Sequence, residues 1–317
     1  MQRRLKRSIV AVTAVSYESG RRTVGLGCQP NRPARTIVVL NFRDYVWLLM
    51  KISPTPRVIY KKNPLAEVVC QIRFERVTDS SVFAIQFYDA LISLGYVNKS
   101  EEVSYNVVID TSEQQVPEPR TVAGDAIVHF TKEDETWRVS VSPEFLAFTC
   151  NSYRDWSCFL PEIIKVVDVF KSSTKTPLVV TRLGLRYKDV IERETLGLAD
   201  TPWHELINPF LLGALALGSL SDDEGFDEGG VESQLSQTLL KLDDCKLLLQ
   251  SSLLTSVVDS NKAFLIDADF FHELIGDDLL YQSGEKLEGL LETLHSNAGA
   301  LFRRGITEKL HGALGPT

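Results

Sequence analysis

The chain has 317 residues, 44% hydrophobic and 24% charged, with a formal net charge of −8; this is the balance of a folded globular protein with material for a sizeable core, not of a disordered one. Residues 1–49 hold nine Lys/Arg against Glu18 and Asp44, a net of +7, so the remaining residues carry −15, and an acidic body of that kind repels phosphate backbones and argues against general nucleic-acid binding. Five scattered cysteines (Cys28, Cys70, Cys150, Cys158, Cys245) with no C-x-x-C pair argue against a disulfide framework or a zinc ribbon and for free thiols in a reducing cytoplasm, and no apolar run reaches the roughly 18–20 residues that span a bilayer.

In chain order, residues 9–15 are apolar after a basic cluster, but Tyr17 and Glu18 follow and no small-x-small cleavage site appears, so a secretory signal is not indicated. Met1 and Met50 are the two methionines. The irregular, basic stretch 1–49 is expected to be disordered or to lie upstream of a true start at Met50. Residues 65–77 read as a strand, with Val68, Val69, Ile72 and Phe74 among polar residues. Asp79-Ser80-Ser81 is a helix N-cap signal, and Phe83, Phe87, Leu91 and Leu94 follow at helical spacing up to Gly95. Strands are expected at 102–110, 126–131 and 137–150, with a polar loop at 111–121. A helix follows near 156–171, and Pro161 would stand at its start.

The second half, 176–317, opens with a strand at 178–191. A helical or loop region lies around 203–217, then an acidic, Gly-rich loop at 219–230. Strands are expected at 231–242, 245–258 and 263–271, and a long helix at about 285–314. A β-α-β-β-β-α unit is therefore expected twice, in 50–175 and 176–317. The fold class is α+β, with antiparallel sheet and packed helices, and an internal duplication competes with chance similarity of short strands. Both lead strands read Arg-aromatic-x-x-Val (Arg73 to Val77, Arg186 to Val190), and two strands are read as alike in running into an acid-Phe corner, Glu144-Phe145 and Asp269-Phe270.

Three blocks give a resemblance: Asn63-Pro64-Leu65-Ala66-Glu67-Val68 continuing to Gln71-Ile72-Arg73-Phe74, then Arg182-Leu183-Gly184-Leu185-Arg186-Tyr187, then Leu294-His295, Phe302, Ile306-Thr307 and Leu310. The chain resembles, over roughly residues 55–314, a sporadically distributed family of uncharacterised bacterial proteins. Glu75 stands where that pattern has Pro, and Asp189 where it has Asn. The resemblance implies a start near Met50 and no established activity.

No nucleophile elbow, phosphate loop or H-E-x-x-H occurs, so no catalytic residue, cofactor or metal site is assigned. His295 and His311, sixteen residues apart on one expected helix, are too far apart for one metal. The run 221–228 lacks the ligand alternation of a calcium loop. Candidate binding residues are Arg73, Arg182, Arg186 and Tyr187. A buried guanidinium needs a partner, so the arginines are either ion-paired to Glu67, Glu192 or a neighbouring carboxylate, or form an anion site. Gly184, isolated in a strand, signals a bulge or a close approach. Two functions stay open. One is a non-enzymatic binding protein with a protein partner, in the manner of an accessory to a mobile bacterial defence or toxin-control system. The other is a small-molecule or anion pocket anchored by Arg73, Arg186 and Tyr187.

Overall fold

Alternation sets the centre of the fold. Strand β1 (Leu65–Phe74) buries Val68, Cys70, Ile72 and Phe74 on one face, and β6 (Val180–Glu192) buries Leu183, Leu185, Tyr187 and Ile191. In the computed structural model the two pair antiparallel, Val68 opposite Tyr187 and Ile72 opposite Leu183. The structure describes residues 50–77, 85–109, 119–174, 177–216, 228–256, 260–277, 279–281 and 284–317. The basic stretch 1–49, the expected N-cap at 79–81 and the run 221–227 lie outside them.

On one side of the central pair come β5 (Phe145–Cys150), β4 (Trp137–Ser142), β3 (Pro119–Thr131) and β2 (Asn98–Ile109); on the other come β9 (Lys262–Asp277), β8 (Lys246–Thr255) and β7 (Gln234–Lys241). Among the described residues the nine strands form one antiparallel sheet, so the two expected halves meet in a continuous sheet. With its packed helices the protein is α+β. Strand order runs outward alike on both sides, but with five strands against four.

The extra strand corrects an expectation. Residues 137–150 are a hairpin, because Pro143 cannot donate to a ladder and the Ser142 hydroxyl accepts from the backbone N–H of Glu144 and Phe145 at 3.1 and 3.2 Å. Glu144-Phe145 is thus a turn, whereas Asp269-Phe270 lies within β9; the two are not equivalent corners.

Helices cover one face. α1 (Ile85–Ser93) buries Phe87 and Leu91 and stops at Gly95, whose φ of +89° suits glycine. α2 (Trp156–Ser173) starts at Asp155, whose carboxylate accepts from Cys158 N–H at 3.0 Å; Pro161 lies inside the helix, on its exposed side. Phe170 packs edge-on to Phe87, with ring centroids 5.3 Å apart. In the helical or loop region expected around 203–217, the described residues hold short turns, among them α4 (Pro209–Leu212); α3 (Arg193–Leu196) follows β6.

The long C-terminal helix is two: α5 (Gly284–Gly305) and α6 (Glu308–Leu314). Gly305 abuts Leu211, and the Asn208 side-chain amide donates to the carbonyls of Arg304 and Ile306 at 2.6 and 3.2 Å. Thr307 then caps α6. Among the described residues no helix is long and apolar enough to cross a membrane.

Candidate functional site

Strand alternation separates the four candidate residues. Arg182 and Arg186 on β6, with Arg73 on β1, point away from the helices, whereas Tyr187 points into the core. One pocket anchored by Arg73, Arg186 and Tyr187 together is therefore not what the structure builds.

On the outer face the arginines meet carboxylates of β9. Arg186 grips Asp267 with two bonds, Nε to Oδ1 at 2.6 Å and a second from Nη2. This fork holds its guanidinium more firmly protonated than usual, even against partial burial. Arg182 donates to Asp269 Oδ2 at 2.7 Å and stacks 4.2 Å from the Phe271 ring centroid. Burial pushes the Asp269 carboxyl up, against the pull of Arg182 and Arg186. Lys188 takes Glu67.

Gly184 explains its own place here. A Cβ on it would come within 2.6 Å of Arg182 Nη1, and the β6 registers show no shift there. The isolated glycine thus marks a close approach, with the guanidinium of Arg182 lying across it.

Arg73 differs from the other three cations. Its Nε donates to Gln71 Oε1 at 2.9 Å, an oxygen that also receives Arg182 Nη1 at 3.4 Å. Among the described residues it has no carboxylate at ion-pair distance. Partial burial and the neighbouring positive Arg182 hold its guanidinium below the usual range.

Of the expected partners, Glu67 takes Lys188, and it is neighbouring carboxylates, Asp267 and Asp269, that bond Arg186 and Arg182; the readable signal was their own alternation with Ile266, Ala268 and Phe270 along one strand.

In the core, the Tyr187 hydroxyl lies 2.8 Å from Nδ1 of His295 on α5. The His295 ring is stacked on Trp156 at 4.2 Å with planes 5° apart, and Tyr153 meets Tyr187 edge-on. Burial holds the phenol far above its usual range, and burial followed by Arg57 pushes the imidazole down to about 4. The bond therefore joins a neutral phenol to a neutral ring. Neither group is poised for proton transfer near neutrality, so the pair acts as a lock between sheet and helix. His295, on α5, is part of that lock.

Two residues along β6 on the same face, Asp189 is 5% exposed. Burial, and then the charge of Asp267, pushes its carboxyl up to about 8. A groove of about 570 Å³ opens by Trp137, Tyr153 and Phe159, with Asp134, Asp155 and Glu162 around it. None of the four candidate residues lines it. Among the described residues no cluster of His, Cys, Asp or Glu could hold a metal ion.

No family model matches the chain, and no curated protein does. Among solved structures, Methanococcus jannaschii TBP is similar at 12% identity over 77% of this chain and 99% of that one, with a TM-score of 0.21. The di-domain ARO/CYC StfQ from the steffimycin biosynthetic pathway is similar at 11% identity over 78% and 99%, with a TM-score of 0.18. Likeness at this level is too slight to transfer a function.

Proposed function

We propose that the protein is a non-enzymatic binding protein that engages a protein partner along β7, one edge of its sheet. The observation that carries this is the contrast between the two edges. An edge strand offers unpaired N–H and C=O groups, and proteins guard it with charges, bulges or prolines. β2 is guarded: Lys99, Glu101 and Glu102 are exposed on it, and its ladder shifts register between Val103 and Tyr105. β7 (Gln234–Lys241) has no register shift and no proline, and its single charge, Lys241, stands at its end. Leu235 and Leu239, on the outer face, are 59% and 61% exposed. Among the described residues β8 alone pairs with Gln234–Lys241, while just past its end Met50 bridges Leu242 and accepts from Asp243 N–H at 3.0 Å.

Strand addition at such an edge draws affinity from main-chain hydrogen bonds and specificity from alternate side chains. The central ion pairs support the reading from the other side, because guanidinium forks already filled by Asp267 and Asp269 have little left for a ligand. An accessory role in a mobile bacterial defence or toxin-control system belongs to the same reading. Free thiols at Cys70, Cys150, Cys158 and Cys245 fit a place in the cytoplasm. An anion site is the second reading, and Arg73, which among the described residues has no carboxylate at ion-pair distance, is the observation favouring it.

Hydrogen exchange on protein taken gently from its host tests the first reading. The outward amides of β7 are expected to exchange slowly there and to become fast in Leu235→Lys/Leu239→Lys. Fast exchange along β7 in both proteins would overturn it.

A further inference from the structure

We infer that the outer face of the sheet carries, over β4, β5 and β1, a hollow for a small metabolite with two oxyanion groups, carboxylate or phosphate; this rests on the second reading, the anion site, and gives it its place. The carboxylates that neutralise this face lie to one side of that hollow. Asp267 and Asp269 of β9 hold Arg186 and Arg182, and Glu67 takes Lys188. The outward positions of β5 (Phe145, Ala147, Thr149) and of β4 (Arg138, Ser140, Ser142) hold no acid. Arg138 faces outward because Val139 and Val141 beside it are in the core. It is half-buried, and its Nε is shielded from solvent with no hydrogen-bond partner. Among the described residues no carboxylate lies at ion-pair distance from it. A guanidinium held in that way is costly unless an anion reaches it. Arg73 shares the lack of a carboxylate, so the two unpaired arginines stand on either side of β5.

The register fixes their spacing. Arg138 is level with Thr149 and Val69, and Arg73 is four residues further along β1. Two strand spacings across and four residues along put their Cα atoms about 16 Å apart, so one anionic group for each guanidinium fits a ligand with two. The floor between them is low, since Ser140, Ala147 and Thr149 are small and buried. Arg73 leans toward that floor, bonding Gln71, which is opposite Ala147. The carbonyl oxygen of Gln71 is bonded to Arg73 and Arg182, which turns its amide N–H groups toward a ligand as further donors. Guanidinium forks suit carboxylate and phosphate alike. A long polyanion such as nucleic acid would also meet the acidic body around the hollow, and a small one would not. Three strands separate β1 from β7, so the hollow can be filled with or without a protein at that edge.

Thermal unfolding of the full chain in citrate and in pyrophosphate, each compared with acetate at the same ionic strength, tests this. At least one of the two is expected to raise Tm by about 3 °C or more. Arg138→Met and Arg73→Met, which keep the apolar stem, are each expected to weaken binding by about tenfold and so to remove most of the rise. In acetate Arg138→Met should unfold no lower than the unaltered chain, because the charge it removes has no partner. Unfolding well below it would make Arg138 a structural residue and overturn the inference. A rise removed by Arg73→Met and kept by Arg138→Met would also overturn it, leaving an anion site at Arg73 alone and the second reading standing. No rise with either anion, or a rise kept in both variants, would remove the inference and that reading together. A single-stranded oligonucleotide at the same ionic strength should give no rise; a rise from it alone would overturn the assignment to a small metabolite.

Discussion

Asp189→Asn is expected to stabilise the protein by about 2–4 kcal/mol near pH 8, and to stabilise it little near pH 4. Asp189 sits in the core with its carboxyl pushed up to about 8 by burial. It keeps its proton in the fold and gives it up on unfolding, so the unfolded chain binds fewer protons between about pH 3.9 and pH 8. Native stability therefore falls as pH rises through that window. His295 has the opposite slope. Its ring is pushed down to about 4, so the unfolded chain binds the extra proton between about 4 and 6.5, and stability rises with pH there. The two slopes oppose each other up to about pH 6.5, above which that of Asp189 remains.

The amide of Asn fills the same space without an ionised form. Urea unfolding of both proteins at pH 5, 6.5 and 8 is the check. The unaltered protein should weaken from 6.5 to 8 and the variant should not. Below 6.5 the variant should lose stability on acidification, because the His295 slope is no longer offset. An unchanged slope above 6.5 would show that Asp189 is not held protonated. Asn is also what the resemblance sets at this position.

The second large effect is an asymmetry within one ion pair. The Arg186 side chain is 42% exposed and that of Asp267 is 5%. Removing the arginine strands a buried carboxylate; removing the aspartate leaves a guanidinium that can turn to water. Arg186→Ala is expected to cost about 3 kcal/mol, and Asp267→Ala about 1–2 kcal/mol. The double variant should cost less than the sum, with a coupling of about 1–2 kcal/mol in a double-mutant cycle. Equal single costs that add without coupling would mean the fork contributes little.

The residues differ in how much of this could be read in advance. Alternation along residues 65–77 and 178–191 located β1 and β6, because both bury one face under helices. The α2 stripe was legible for the same reason, through Phe159, Ile163, Val166, Val167 and Phe170. Boundaries set by tertiary contacts were not. The hairpin at Pro143 hides in a continuous apolar run, and α5 stops where Gly305 meets Leu211, about ninety residues away in the chain. The arginines could be named, but their partners could not, since Asp267 and Asp269 reach them only once β9 is laid beside β6. The Tyr187 and His295 pair joins residues 108 apart, and no local spacing announces it. The difference between the two sheet edges could not be read before strand order was known, although the single charge of β7, Lys241 at its end, was in plain view.

Native mass spectrometry of the full chain purified gently from its host decides between a protein partner and a small ligand. A bound protein, another copy or a different chain, is expected to be retained in Arg73→Ala and released in Leu235→Lys/Leu239→Lys. A bound small molecule lost on Arg73→Ala, with no protein partner and no effect of the β7 changes, would contradict it and make the outer-face arginines the site.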